Sequence, residues 1–447
     1  MNKKHHLCEI VDADKCKGCT NCVRNCPTEA IRVRKGTAVT ITEHCINCGN
    51  CIRTCPYHAK MAITDPLDLN RLKEFKYNIA LASPVLYAQF HRPLPPGKVL
   101  NALKSLGFDD VFQESVGADC VALSVKEHLK KPDIKKPVIS SACPAVIRLI
   151  QIRFPGLVGH IAPFLPPVEI AAKLARKQAS KTKNIPEDQI GVFLITPCTA
   201  KANYIRHPLG LEKSHLDGAI SLIHLYGNIM NALLSAEDEF ELARSSGPAV
   251  GWARSGGETM AINTNSYLVA DGLSNVINIL QEVELGRFDD VDYLECQVCH
   301  SGCVGGPLTV ENPFKARIII RNLVSRLPLA MSRDCSARII SRYRTGFFNI
   351  ERPIEARPVM PMDQDISKAI RLVSRSEEIL HDLPGLDCCS CGSPSCRALA
   401  EDIARGYASI TDCIFVLLES FQHSAQDMLN LINRVQTMDK TRRGKEN

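Results

Sequence analysis

The sequence predicts an α/β protein whose layered core lies between two small cysteine-rich domains, the second of them mostly helical. Three observations predict it. Residues 77–345 alternate short apolar runs with amphipathic stretches, the pattern of stacked strands and helices. The first sixty residues hold one cysteine spacing twice. A further cysteine cluster follows a proline-bearing linker at 351–364.

Composition supports this reading and removes others. With 447 residues, 45% apolar and 23% charged, the chain can bury a full core in two or three domains. Its formal charge of +6 comes with no long basic run or basic–aromatic stripe, so no nucleic-acid partner is expected. No run of about 18 apolar residues exists to span a membrane. The basic start, "MNKKHHLCEIVDADKC", has no apolar stretch of signal-peptide length. Twenty-one cysteines without an export signal read as metal ligands in a reducing cytoplasm rather than as a disulfide framework.

The N-terminal domain is expected over 1–70. Cys16, Cys19, Cys22 and Cys26, followed by Pro27, form a C-x2-C-x2-C-x3-C-P run. Cys45, Cys48, Cys51 and Cys55, followed by Pro56, repeat it. The short loops let three thiolates converge on one cube, and the proline ends each loop. In this ferredoxin-like pattern the fourth cysteine of each run ligates the other cluster. The spacing therefore predicts one 4Fe–4S cubane on Cys16, Cys19, Cys22 and Cys55, and a second on Cys45, Cys48, Cys51 and Cys26. Zinc is the alternative for C-x2-C pairs, but two identical runs favour iron–sulfur. Such a module conducts electrons and has no substrate chemistry of its own.

The core domain is expected over 76–350. "NIALASP" (78–84), "KPVISSACP" (136–144) and "GVFLITPC" (191–198) read as buried strands, with helices at 144–153 and 167–178. That order indicates parallel strands. Two strands stop at a cysteine, Cys143 before Pro144 and Cys198 after Pro197. Open α/β sheets place ligands at such C-terminal strand ends. "LECQVCHSGCVGGP" (294–307) adds Cys299 and Cys303, one helical turn apart, and then Gly305 and Gly306. Alone, that stretch would also suit a disulfide or two buried apolar thiols. With Cys143 and Cys198 it can complete a four-cysteine site drawn from three segments.

Here "SACP", "TPCTAK" and "ECQVCHSGCVGG" resemble the three signature segments of the catalytic domain of iron-only (FeFe) hydrogenases. "ASPV", "GFDDVFQESVGAD" and "ARSGGETM" resemble flanking segments, and the double-cubane module matches the family's architecture. The resemblance covers roughly residues 10–330. It implies that Cys143, Cys198, Cys299 and Cys303 ligate a 4Fe–4S cubane. Cys303 would also bridge it to a diiron subcluster bearing carbonyl, cyanide and dithiolate ligands, completing a six-iron H-cluster. Lys201 falls on the lysine that hydrogen-bonds one cyanide; Ser83 and Pro84 fall where the family lines the other. A buried ammonium beside an anionic ligand offsets its own desolvation. Gly305 and Gly306 would allow a close backbone approach to the cluster. His300 is a candidate to tune it by hydrogen bonding. Cys8, Cys120, Cys296, Cys335 and Cys389 match no ligand position.

The chain departs from the family where protons must move. The cysteine that precedes the first ligand is Ala142, a relay serine falls on Ala162, and a relay glutamate on Tyr204. A second relay glutamate falls near Glu127 or His128. Methionines that pack the site fall on Thr196 and Gln297. A site that keeps every ligand and loses its proton carriers resembles the sensory, regulatory branch.

The C-terminal domain is expected over 365–416, opening with a helix at 365–381. Cys388, Cys391, Cys396 and Cys413 stand at a C-x2-C-x4-C-x16-C spacing. This resembles the small 4Fe–4S domain of corrinoid iron–sulfur proteins and other redox partners. That family has glycine where this chain has Cys389, which makes Cys389 an alternative ligand, and zinc remains an alternative metal. In a final segment, 417–447, Leu418, Phe421, Ala425, Met428, Ile432 and Val435 fall at the a/d spacing of a coiled-coil seam. A helix packed on its own domain would give the same pattern.

The resulting expectation is a cytoplasmic, hydrogen-sensing FeFe hydrogenase of low activity. Dihydrogen and protons are its substrates, ferredoxin a redox partner, a kinase or phosphatase a signalling partner, and a homodimer its assembly. The alternatives are an ordinary ferredoxin-linked or bifurcating hydrogenase, and a non-enzymatic iron–sulfur protein related to hydrogenases.

Overall fold

The computed structural model describes residues 9–67, 69–236, 245–357 and 365–443. Cys8, part of the 351–364 linker and residues 444–447 lie outside them. Two compact units divide the chain. The first takes residues 1–12, 45–53 and 60–358; the second takes 13–44, 54–59 and 359–447. The double-cubane region therefore contributes to both units, with Cys45, Cys48 and Cys51 in the first and Cys16, Cys19, Cys22, Cys26 and Cys55 in the second.

Eleven strands occur among the described residues: β1 Glu9–Val11, β2 Ile31–Arg34, β3 Thr37–Thr40, β4 Lys60–Ala62, β5 Tyr77–Ala82, β6 Asp110–Gln113, β7 Val138–Ile139, β8 Ile190–Thr196, β9 Gly218–Ser221, β10 Tyr267–Asp271 and β11 Tyr293–Gln297. In the first unit β6-β5-β8-β9 form one sheet and β10-β11-β7 another. Every pair in both is parallel. β5 and β8 are apolar along almost their whole length because helices cover both faces of a parallel sheet. The helix Pro167–Lys183 packs its alanine-rich side on one of them, burying Val168, Ala171, Ala172 and Ala175 with Leu81, Val192 and Leu194. Of the three expected strands, two match closely; the third shrinks to Val138–Ile139 because "SSACP" turns towards the helix Pro144–Arg153. β1 and β4 pair antiparallel.

In the second unit β2 and β3 form a hairpin. Its turn residues, Lys35 and Gly36, both have positive φ, as the favoured two-residue turn requires. The helix Ile366–His381 matches the expected 365–381 segment. With Cys396–Ala404 it encloses a core of Leu383, Leu399, Ala400 and Cys413. A helix of 30 residues, Ile414–Arg443, follows. No helix among the described residues is long and apolar enough to cross a membrane.

Candidate functional site

The C-terminal ends of five parallel strands supply the site. Ser83 follows β5, Glu114 follows β6, Cys143 lies four residues past β7, Cys198 two past β8, and Cys299 two past β11. Cys143 and Cys198 are also the residues that precede the helices Pro144–Arg153 and Thr199–Arg206. Pro144 suits the first helical position, where its missing N–H has no intrahelical partner to lose. Backbone N–H groups point at the Cys143 thiol: those of Ala145 and Val146 from the first turn of this helix, and that of Val298 from just past β11. The four expected ligands share one electrostatic environment, with Cys303 facing Cys299, Cys198 and Cys143. None of the described cysteines is in a disulfide, so that reading of Cys299 and Cys303 falls.

Gly302, at φ +89 and ψ −160, lets the chain turn between the two cysteines. A Cβ on Gly305 would stand 2.1 Å from the His300 carbonyl oxygen, and one on Gly306 2.5 Å from that of Pro197. These glycines thus allow the Cys303 loop to lie against the Cys198 segment, where Leu308 N donates to Pro197 O at 3.0 Å. His300 is exposed, its ring meeting Phe314 at 6.0 Å between centroids.

Ser83, Ala142, Cys143, Lys201 and Cys303 line one pocket, together with Glu114, Trp252 and Gln297. Lys201 Nζ lies 2.5 Å from Glu114 Oε1, and both side chains are buried. Burial pulls the ammonium down, but Glu114 and the Cys303 thiol outweigh it and hold the lysine above its ordinary value. Glu114 Oε2, Trp252 Nε1 and Gln297 Oε1 are buried without a hydrogen-bond partner. Such groups are costly unless something else satisfies them, and the pocket they line is the space available for it.

Burial pushes the thiols up, Cys299 to about 12 with Arg53 opposing, and Cys143 and Cys303 also upward. Thiolates gathered here need compensating positive charge, which bound iron supplies. The four thiols therefore fit a thiolate-held cluster; beside it, Trp252 Nε1 is a donor that suits an anionic group, whereas Glu114 Oε2 and Gln297 Oε1 are acceptors that call for a donor. The loop carrying Cys45, Cys48 and Cys51 packs against the same cysteines. Ile46 and Cys48 share a core with Cys143 and Cys198. Thr199 Oγ1 donates to Asn47 O at 2.8 Å, and Arg53 Nη2 lies 3.7 Å from Cys299 Sγ.

A family profile described as the iron-only hydrogenase large subunit, C-terminal domain, matches residues 76–267 and 211–307, together just over half of the chain. The chain belongs to the iron-only (FeFe) hydrogenase family. A 4Fe–4S dicluster domain matches residues 8–56 and an Fe–S cluster domain residues 383–415, so this hydrogenase-family chain carries iron–sulfur cofactors of the 4Fe–4S type. It is 33% identical over 217 residues to the periplasmic Fe hydrogenase large subunit of Nitratidesulfovibrio vulgaris, covering 44% of this chain and 51% of that one. It is 31% identical over 85 residues to the cytosolic Fe–S cluster assembly factor nar1 of Aspergillus terreus, covering 19% and 14%. The chain thus spans about half the length of the first relative and far less of the second. An apo form of the FeFe hydrogenase of Chlamydomonas reinhardtii shares the fold at a TM-score of 0.50, with 17% identity, covering 66% of this chain and 97% of that one.

In the second unit, Cys388, Cys389, Cys391, Cys396 and Cys413 line one cavity. Cys389 has φ 61, which explains why glycine suits the position, and its thiol lies 3.2 Å from the Pro394 carbonyl oxygen. Cys120 and Cys296 are buried in the cores of the first unit.

Sequence reasoning missed Glu114 and Trp252. Glu114 carried a signal: a charged residue directly after the short run Asp110–Gln113, in the place Ser83 takes after β5.

Proposed function

We propose that this protein is a sensory or regulatory FeFe hydrogenase that binds dihydrogen and slowly interconverts it with protons and electrons, H2 ⇌ 2 H⁺ + 2 e⁻. One observation carries the reading: Ser83, Cys143, Lys201 and Cys303 line one pocket, and Cys198 and Cys299 lie close enough to Cys303 to act on it electrostatically, while the family's relay positions fall on Ala142, Ala162 and Tyr204. Ala142 lines the pocket and carries no proton. Ala162 is fully buried. The Tyr204 hydroxyl donates to Leu209 O at 3.0 Å, and burial pushes its pKa well up, so it does not exchange protons near neutral pH.

Cys303 would hold the diiron unit, which would supply the chemistry that splits dihydrogen. Around it, Lys201 presents a buried cation to an anionic ligand, Ser83 adds a buried hydroxyl, and Trp252 and Ala253 help exclude water. Cys45, Cys48 and Cys51, whose loop packs beside Cys143 and Cys198, would hold the cluster that takes up the electrons, and a ferredoxin is a suitable exchange partner. The exposed seam of the C-terminal helix supports a homodimer or a docked signalling protein such as a kinase or phosphatase. A cytoplasmic location is supported by the reading of the chain's 21 cysteines as metal ligands in a reducing compartment.

One observation favours a second reading, a non-enzymatic iron–sulfur protein: Lys201 already has a carboxylate partner in Glu114. Infrared spectra of matured protein separate the two. Carbonyl and cyanide bands are expected, and Cys303→Ser should abolish them while the ferredoxin cubanes remain. Full bands in that variant sink the bridging assignment, and no bands in the matured wild type favour the second reading. Turnover equal to that of productive hydrogenases would overturn the sensory part.

A further inference from the structure

In the second unit the C-terminal cysteines are fixed to the segment that carries the first ferredoxin run. Asp402 Oδ2 accepts from Arg32 Nε at 2.6 Å and from Arg34 Nη2 at 2.5 Å. Arg32 and Asp402 are both buried. Ser393, with no exposed surface, takes a further bond from Arg34 Nη2 at 3.0 Å. Backbone adds to this: Val33 N donates to Gly392 O at 2.7 Å. Gly392 has φ +80, and a Cβ there would stand 2.2 Å from Val33 O, so the segment between Cys391 and Cys396 is fitted to β2 without spare room.

Nearer the expected ligands, Arg24 Nη2 donates to the Cys388 carbonyl oxygen at 2.8 Å. Arg24 stands two residues after Cys22. A short covalent step and one hydrogen bond therefore join a ligand of the first cluster to a ligand of the C-terminal one. A buried carboxylate shared by two guanidinium groups is costly unless the geometry is good and its bonds are complete. A domain that merely trailed on a tether would have no use for one.

We propose that the C-terminal iron–sulfur segment is a fixed electron-transfer partner of the cluster on Cys16, Cys19, Cys22 and Cys55, with Arg24 as the positioning residue between them. The proposal rests on the iron–sulfur part of the function argued above and not on the diiron unit. In the step, one electron leaves a reduced 4Fe–4S cluster, which is oxidised by one charge, and enters its neighbour, which is reduced by one. No bond forms or breaks and no proton moves. The electron comes from a low-potential carrier of the ferredoxin class.

The test uses the full chain, reconstituted with iron and sulfide, reduced with dithionite and examined by low-temperature electron paramagnetic resonance. The wild type is expected to show spin coupling that broadens the signals of both clusters. Asp402→Ala, which removes the shared carboxylate, should return them to the sum of isolated clusters at unchanged iron content. Arg24→Gln leaves the Asp402 contacts in place and should lower the midpoint potential of the C-terminal cluster, because a cation that stabilises its reduced state is gone. Uncoupled spins in a wild type with both clusters loaded overturn the proposal. So does coupling that survives Asp402→Ala together with an unchanged potential in Arg24→Gln. Zinc in place of iron at Cys388–Cys413 overturns it as well, and metal analysis identifies that result as a failure of the cluster assignment itself.

Discussion

Glu114 decides how much of the Lys201 charge reaches the pocket. A buried ammonium left without its partner costs about 3–5 kcal/mol. In protein that holds its cubanes but lacks the diiron unit, Glu114→Gln should lose stability on that scale. In fully matured protein the loss should be smaller, since an anionic ligand takes over as partner. Thermal melts of both forms check this, and an equal loss in both argues against a contact between Lys201 and the cofactor. Glu258 offers an independent test. It is buried, accepts from Ser140 Oγ at 2.7 and 2.9 Å and from the Tyr293 hydroxyl, and faces Glu295. Burial, then Glu295, push its carboxyl from 4.5 up to about 8. The folded state thus holds a proton that the unfolded chain releases, and stability falls as pH rises from 4.5 to about 8. Glu258→Gln mimics the neutral acid. It should flatten that decline and gain about 1 kcal/mol or more at pH 8, read as a higher melting midpoint. A variant less stable than wild type at pH 8 shows that the site needs the carboxylate.

At the scale of elements, strand ends place the chemistry and glycine turns set its reach. Gly302 has φ +89 and ψ −160, a region essentially reserved for glycine, and an added Cβ would stand 2.5 Å from both Gln297 Oε1 and Ser255 N. Gly256, at φ +77 and ψ 3, lies in the ordinary left-handed region, and its nearest new contact is 3.9 Å away. Gly256→Ala should cost about 1–2 kcal/mol. Gly302→Ala should cost at least ~3 kcal/mol and lower the iron bound at Cys299 and Cys303, as denaturant melts and iron analysis would show. Equal costs for the two would mean that the Cys299–Cys303 turn relaxes around the methyl group. Much of this level was legible beforehand. "GVFLITPC" and "NIALASP" announce strands because a two-sided parallel sheet demands continuous apolar runs, and paired glycines after Cys303 announce a close approach. "KPVISSACP" misled in length, since the chain leaves the sheet at Ser140 for hydrogen bonds with Glu258 that no local pattern encodes.

At the scale of the whole molecule, cysteine spacing suggested groupings of thiols but said nothing of which segments lie side by side. Arg32 and Arg34 stand 370 and 368 residues before Asp402 and carry no motif, so their meeting needed the fold. The final helix is different, because its pattern is complete in sequence. Leu418, Phe421, Met428 and Ile432 of the expected seam are all exposed, as are Leu429 and Leu431 beside it; the side chain of Val435 lies outside the described residues. A helix packed on its own domain would have hidden them. Burying such side chains fully is worth about 1.5–3 kcal/mol each, and an a/d row is complementary to a copy of itself, as a two-fold dimer requires. Gln422, Gln426, Asn430 and Asn433 on the other side can stay in water. Deleting residues 420–447 leaves Cys413 and its core in place, so the cluster domain should still fold. The full chain is expected to scatter light as a dimer and the truncated chain as a monomer, with iron content unchanged. A truncated chain that keeps the mass of the full one would show that this helix does not hold the dimer.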